Sequence, residues 1–491
     1  MSDRVQSVLE SRFGFDALRP LQERIVSRVM SGGDALVVMP TGSGKSLCYQ
    51  LPALAFPKPD ASARGVALVF SPLIALMEDQ VASLRKKGIR AQYINSTLSR
   101  AERERRYQQL ADGDFELIYA TPERMEKPPF TEALERMPGG VNLLAVDEAH
   151  CISKWGHDLR PAYQRVGEFR RLLGSPPTIA LTATATARVR EDIRATLGVT
   201  EEQMPLFASD IDRPNLSIGV HECWDDSDKD RQIVRTATNM GGTGIVYFAL
   251  IKDLERAADR LRRKLPDRRI EIYHGQLDPH RKKRVYDRFI DATPEDNLLL
   301  LATNAFGMGV DKPDIRFILH AQVPGSVEAY YQEIGRAGRD GLPSRCELLY
   351  SQDDLAIQQN FIEWANPSAD LLSQIASAIE TRFADGASGD SAFTEDDIRL
   401  MVLGKGRGDG RIGYALTTLD KLGVIEPAPF AGHFRFVRPL DDRSISPEEI
   451  ESKKQRDLTR LLDMVKLSRD DEIRAFIRDY FDLPSGEGLT A

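Results

Sequence analysis

Cysteine is scarce in this chain: 4 among 491 residues, at positions 48, 151, 223 and 346, and no two form a Cys-x-x-Cys pair. That argues against a disulfide framework and for a reduced, cytoplasmic protein. No cysteine follows Cys346, and His433 is the only histidine beyond position 350. A structural zinc site gathers four Cys or His ligands on one ion, so no zinc is expected. The first residues, Met-Ser-Asp-Arg-Val-Gln, hold no apolar signal-peptide core, and no apolar run reaches the length of a membrane span. No membrane partner is therefore expected. An excess of positive charge is also missing, since the formal net charge is −8. The molecule is not a polycation, so any nucleic-acid site must be a local patch whose grip weakens with salt. Internal repeats and long low-complexity segments are absent.

What is present is length and apolar content, 491 residues of which 42% are hydrophobic and 29% charged, enough for two to four domains with their own cores. The chain is organised around residues 39–46, Met-Pro-Thr-Gly-Ser-Gly-Lys-Ser. The apolar run Ala35-Leu36-Val37-Val38 precedes it as a buried strand, and a helix opens at Leu47. Strand, glycine-rich loop and helix in that order make a phosphate-binding loop. Thr41, Gly42, Ser43 and Gly44 turn backbone N–H groups inward, Lys45 adds a full charge, and the Ser46 hydroxyl suits Mg²⁺. The first glycine of the general pattern is Met39 here, and an ordinary strand–helix turn is the competing reading of this stretch alone.

Upstream, residues 4–30 read as amphipathic helices broken at Phe13-Gly14-Phe15, followed by Leu18-Arg19-Pro20-Leu21-Gln22. The Gln22 amide both donates and accepts, which suits the edge of adenine; taken alone it is more often a solvated helix residue. Downstream come continuous apolar runs at 65–70, 115–119, 142–146 and 178–181. Strands without alternation are buried on both faces, which predicts a parallel α/β sheet with ligands at the carboxyl ends of its strands. Ser71-Pro72-Leu73, Thr121-Pro122-Glu123, Asp147-Glu148-Ala149-His150 and Thr182-Ala183-Thr184 stand at those ends. One carboxylate of Asp147-Glu148 could hold Mg²⁺ through water and the other could orient the attacking water, although two acidic residues at a strand end are common by chance.

Residues 205–225 read as a linker, broken at Asp212-Arg213-Pro214-Asn215. A second α/β set has strands at 244–248, 270–273, 297–301, 317–320 and 346–350, and no second phosphate loop. It carries Gln332-Glu333-Ile334-Gly335-Arg336-Ala337-Gly338-Arg339-Asp340, where two arginines three apart on one helical face, beside small residues, suit close approach to phosphate. A solvated basic turn is the alternative. Residues 370–384, 394–403 and 411–424 read as three short helices, and 433–438 as an edge strand, together a winged helix. Its basic residues are Lys405, Arg407, Arg411, Arg435 and Arg438. Residues 446–483 read as a charged helical pair docking through Leu461, Leu462, Phe476, Ile477, Tyr480 and Phe481.

In their order these motifs resemble superfamily 2 helicases of the DEAH type, and specifically the RecQ family of DNA helicases, over about residues 8–350. Thr303 through Pro313 adds to the match, and Cys151-Ile152-Ser153-Lys154-Trp155-Gly156-His157-Asp158-Leu159-Arg160-Pro161 singles out RecQ. The resemblance implies two tandem RecA-like domains, 1–205 and 206–350, to which the residue pattern adds a connector and winged helix at 351–442 and a helical segment at 443–491. It implies ATP and Mg²⁺ in the cleft, with Lys45, Asp147 and Glu148 catalytic, Ser46 and Asp147 on the metal, and Arg19 and Gln22 at adenine. Arg336 and Arg339 become arginine fingers. Trp155, His157 and Arg160 couple single-stranded DNA to hydrolysis, with Leu159 standing where the family has Phe; without the family, Trp155 is more often a core aromatic. It further implies 3′-to-5′ translocation, duplex unwinding, single-stranded and duplex DNA as partners, and a role in repair or recombination near the nucleoid if the source is bacterial. The usual four-cysteine zinc module is missing, although Ile473–Phe481 faintly resembles its helical part. An RNA-acting helicase and a DNA-dependent remodelling ATPase stay open as alternatives.

Overall fold

Leucine, valine and isoleucine dominate the apolar runs, and each run becomes a strand whose successive side chains enter different cores. In the computed structural model, which describes residues 3–56, 65–153, 160–209, 212–307, 310–383, 392–404, 410–428 and 432–483, the first sheet has seven parallel strands. Their order is Ala91–Ile94, Leu117–Ala120, Val66–Phe70, Val141–Val146, Thr178–Thr182, Ala35–Val38 and Leu206–Ala208. Ala35, Val37, Ala67, Val69, Leu143 and Ala145 face one core. Leu36, Val38, Leu68, Phe70, Leu144 and Val146 face the other. Burial on both faces is why these strands read as continuous rather than alternating.

A second parallel sheet has six strands, ordered Arg269–Tyr273, Leu298–Ala302, Thr243–Tyr247, Ile315–His320, Ser344–Tyr350 and Leu216–Glu222. The two sheets are tandem RecA-like units. The expected linker at 205–225 contains two strands: Leu206–Ala208 pairs with Ala35–Val38, and Leu216–Glu222 pairs with Ser344–Tyr350. Three residues at one sheet edge, and a strand with mixed exposure at the other, lack the apolar run that marks a central strand.

Helix Asp354–Ala365 leaves the second sheet, fastened by Lys229 Nζ donating to both carboxylate oxygens of Asp354 at 2.8 Å. Helices Ala369–Phe383, Glu395–Leu403 and Arg411–Lys421 then enclose a separate core of Leu372, Ile375, Phe393, Ile412 and Leu416. A three-stranded antiparallel sheet covers it, ordered Ala392–Thr394, His433–Phe436, Ile425–Pro427. The segment expected at an edge is therefore the middle strand. Its two partners are three residues each, too short to announce themselves.

The chain closes with helices Pro447–Ser468 and Ile473–Phe481. Leu461, Met464, Leu467, Ile477 and Phe481 are buried, whereas Leu462, expected as an anchor, is 53% exposed. Phe476 and Tyr480 are partly buried against the same core. That core is continuous from the first sheet through the second to Met464, Leu467, Ile477 and Phe481, so the last helices join both units. No helix among the described residues is long and apolar enough to cross a membrane.

Candidate active site

The strand Ala35–Val38 delivers the loop 39–46 to the first sheet's carboxyl edge, and helix Leu47–Ala55 leaves it. Gly42 and Gly44 have φ of 77° and 86°. A Cβ on Gly42 would lie 2.8 Å from Arg339 Cδ, and one on Gly44 2.5 Å from Gln22 Nε2. Glycine is thus needed twice, for backbone hand and for space. Lys45 Nζ donates to the carbonyls of Met39 at 2.9 Å and Pro40 at 3.2 Å. Burial pushes its pKa down while Glu148 and Asp147 pull it up. Ser43 Oγ donates to the Pro40 carbonyl at 2.6 Å.

Asp147 and Glu148 follow the strand Val141–Val146. Glu148 sits in the left-handed region at φ 49°, a conformation costing about 1–2 kcal/mol for a residue with a Cβ. Its N–H donates to Asp147 Oδ1 at 3.0 Å. Burial, then the Glu148 charge, pushes the Asp147 carboxyl up to about 7, against the pull of Lys45. Glu148 Oε2 is buried without a hydrogen-bond partner, 3.4 Å from His150 Nδ1. His150 Nδ1 also lies 2.9 Å from the hydroxyl of Thr182, linking Asp147-Glu148-Ala149-His150 to Thr182-Ala183-Thr184.

The second sheet contributes the opposite wall. Helix Val327–Ile334 stops one residue before Gly335, so Arg336 and Arg339 lie on a turn and not on the helical face expected. Arg336 Nη1 donates to the Gly307 carbonyl. Arg339 Nη1 donates to Val310 O at 2.8 Å and Asp311 Oδ1 at 2.7 Å, and burial lowers its pKa. Both arginines keep a buried Nε without a hydrogen-bond partner. Thr41 Oγ1 donates to Gly335 O at 3.1 Å, a bond between the two units.

A cleft of about 260 Å³ results, lined from the first unit by Thr41, Gly42, Gly44, Lys45, Ser46, Asp147 and Glu148 and from the second by Arg336 and Arg339. Arg19 and Gln22 stand behind the loop. Gln22, 5% exposed and not the solvated residue it could have been, accepts from Arg19 N at 3.1 Å and donates to Ser43 O at 3.3 Å and Gly44 O at 3.4 Å. Arg19 Nη1 reaches Ser43 O at 3.2 Å. Arg160 Nη1 donates to Pro72 O at 3.0 Å, tying the end of its loop to Ser71-Pro72-Leu73. Trp155, His157, Lys405 and Arg407 lie outside the described residues; Arg411 opens its helix on the surface, far along the chain in the third unit.

Sequence reasoning missed Gln80, which lines the cleft and donates to Ser46 Oγ at 3.3 Å. It sits on helix Ile74–Lys86 in an unremarkable polar pattern, and only the fold brings it to the loop. It also missed Arg213 and Asn215, read as helix breakers. Both donate to the carbonyl of Gly338 between the two arginines, at 2.7 and 2.8 Å.

Two parallel sheets with a phosphate loop on one and arginines on the other define a two-unit nucleotide-driven motor. The DEAD/DEAH box helicase model matches residues 19–193 and the helicase conserved C-terminal domain model residues 228–341. RecS of Bacillus subtilis, a probable ATP-dependent DNA helicase, is 37% identical over 77% of this chain and 73% of its own length. The ATP-dependent DNA helicase RecQ of the same organism is 43% identical over 74% of this chain, which spans only 59% of that relative. The crystal structure of the DUF1998 helicase MrfA bound to DNA superposes with a TM-score of 0.58 at 18% identity, covering 91% of this chain and 64% of that one, a likeness of fold alone. The chain belongs to the RecQ family of ATP-dependent DNA helicases.

Proposed function

We propose that this chain hydrolyses ATP in the cleft between its two sheets to move 3′ to 5′ along single-stranded DNA and unwind duplex DNA, in repair or recombination. The observation that carries this reading is the convergence of Lys45, Asp147 and Glu148 from one sheet with Arg336 and Arg339 from the other around one cleft. A charge supplied from the second unit makes hydrolysis conditional on closure, and reopening then shifts one DNA grip relative to the other. Lys45 binds phosphate, Glu148 orients water, and Arg336 and Arg339 neutralise the charge that develops on the transferred phosphoryl group. Arg19 and Gln22, already on the loop's rear, take adenine.

The half-buried Asp147 and buried Glu148 carboxylates line one cleft with the Ser46 hydroxyl, and such oxygen donors fit a hard cation. Asp147 and Ser46 would hold Mg²⁺, which supplies charge neutralisation at the phosphates when bound. Residues 1–205 and 206–350 form the motor, 351–442 a connector and winged helix, and 443–491 the helical segment. The winged helix grips duplex DNA through Lys405, Arg407 and Arg411, and Trp155, His157 and Arg160 report single-stranded DNA to the cleft. A location with the cell's DNA in the cytoplasm follows.

Strand separation on tailed duplexes tests the reading. Unwinding of a 3′-tailed DNA duplex with ATP and Mg²⁺, and none of a 5′-tailed one, is expected. Hydrolysis stimulated by DNA without strand separation would mean a remodelling ATPase, and stimulation by RNA alone an RNA helicase.

A further inference from the structure

The turn that carries Arg336 and Arg339 sinks Ala337 into the core, 0% exposed, while its other side is held differently. A cavity of about 210 Å³ lies behind it, bounded by Pro40, Arg213, Tyr331, Gly335, Arg474 and Arg478. On that side polar contacts hold the turn. Arg213 Nη2 donates to Ala337 O at 3.0 Å and Gly338 O at 2.7 Å, and Nη1 reaches Gly335 O at 3.5 Å. Gly335 O is the same atom that accepts from Thr41 of the phosphate loop. Asn215 Nδ2 donates to Gly338 O at 2.8 Å and Leu342 O at 3.0 Å. A Cβ on Gly338 would lie 2.6 Å from that Nδ2, so the fit leaves no slack.

Arg213 is itself held from the far end of the chain. Arg474, on the last helix, donates to Arg213 O at 3.2 Å, to the Asp212 carboxylate and to Leu216 O. The same helix grips both motor units. Arg190 of the first donates to Phe481 O at 2.8 Å and Asp482 O at 3.0 Å, and Tyr480 donates to Glu328 of the second at 2.9 Å. Glu328 lies on helix Val327–Ile334, which runs directly into the arginine turn.

We propose that Arg213 is a positioning residue for the arginine turn, and that the terminal helix Ile473–Phe481, through Arg474, sets where Arg213 stands. A guanidinium fork on successive carbonyls fixes the direction of the turn as well as its distance. The helix thereby links the state of the two units to the aim of the arginines. This rests on reading Arg339 and Arg336 as the charges supplied across the cleft.

The test is steady-state ATPase in saturating single-stranded DNA for Arg213→Ala, Arg213→Lys, Arg474→Ala, Arg339→Ala and the Arg213→Ala/Arg339→Ala double variant of the full chain. Misaiming a catalytic group costs about 10- to 100-fold, so Arg213→Ala should lower kcat by that much. Its KM for ATP and its affinity for a fluorescent ATP analogue should change less than about twofold, because the loop that binds nucleotide is intact. Arg213→Lys should recover part of kcat, and the double variant should lose less than the product of the two single losses, since one residue acts partly through the other. Arg474→Ala, which leaves the guanidinium of Arg213 in place, should lower kcat severalfold and stands in if Arg213→Ala fails to fold. Normal kcat in Arg213→Ala or Arg474→Ala beside a slow Arg339→Ala overturns the positioning role. So does a double variant whose losses multiply. Normal turnover in Arg339→Ala overturns the arginine reading instead.

Discussion

Lys45 and Glu148 line the same cleft, yet their loss should have different consequences. Lys45→Ala removes the charge proposed to bind phosphate and should weaken ATP binding as well as turnover. Glu148→Gln keeps the shape and loses the carboxylate proposed to orient water. It should lower kcat about a hundredfold or more while nucleotide still binds. Equilibrium binding of a fluorescent analogue beside turnover separates the two, and wild-type turnover in Glu148→Gln would remove it from the mechanism. Gly42 invites a sharper test, because its φ is 77° and its missing Cβ makes room for Arg339. Gly42→Ala should cost about 1–2 kcal/mol in backbone strain and displace Arg339, so kcat falls more than stability does. Lys229 and Asp354 test stability far from the cleft. Both are buried, and burial raises the Asp354 pKa despite the ammonium beside it. Lys229→Ala leaves a buried carboxylate alone and should cost about 3–5 kcal/mol, read from chemical denaturation.

At the scale of the element, the last helix carries more than its length suggests. Phe481 is 1% exposed and packs on Tyr331, the ring centroids 5.2 Å apart. Phe481→Ala should destabilise by about 3–5 kcal/mol and loosen the seam between the two units. A protein ended near Ser351 would also lose Asp354 from Lys229, so removing the third unit that way confounds DNA binding with stability. Substitution in place is cleaner. Arg411→Ala, at the start of its helix, should weaken duplex DNA binding uniformly across sequences and reduce the log–log salt slope by about one. An unchanged slope would remove Arg411 from the phosphate contacts.

For the whole molecule, ligand linkage reports closure. Mg²⁺ and a non-hydrolysable ATP analogue at a hundred times the dissociation constant should add about 2.7 kcal/mol to the stability of the motor. Lys45→Ala should lose most of that shift. Metal removal should do the opposite of what it does to a zinc protein. Chelator treatment without nucleotide is expected to move the melting temperature by less than about 2 °C, while hydrolysis stops until Mg²⁺ is returned. Unfolding on chelation, with zinc near one equivalent per chain, would reverse the expectation drawn from the missing cysteines.

The phosphate loop, the Asp147-Glu148 strand end and the ten principal strands of the two sheets were legible in the sequence because each is decided locally. A run buried on both faces must be apolar throughout, and a turn that presents N–H groups must be built of glycine beside lysine and serine. The short partners of His433–Phe436 were not legible, since three residues carry no periodicity. Nor was Leu462, placed in the anchoring face by composition and turned to solvent by the phase of a 22-residue helix. Only the tertiary structure could bring Gln80 to Ser46, Arg213 to Gly338 and Arg474 to Arg213, because a polar side chain's partner is chosen by the fold and leaves no mark on its neighbours in the chain. The chemistry of the cleft was written in contiguous motifs. The joining of its two walls depends on contacts between residues more than a hundred positions apart.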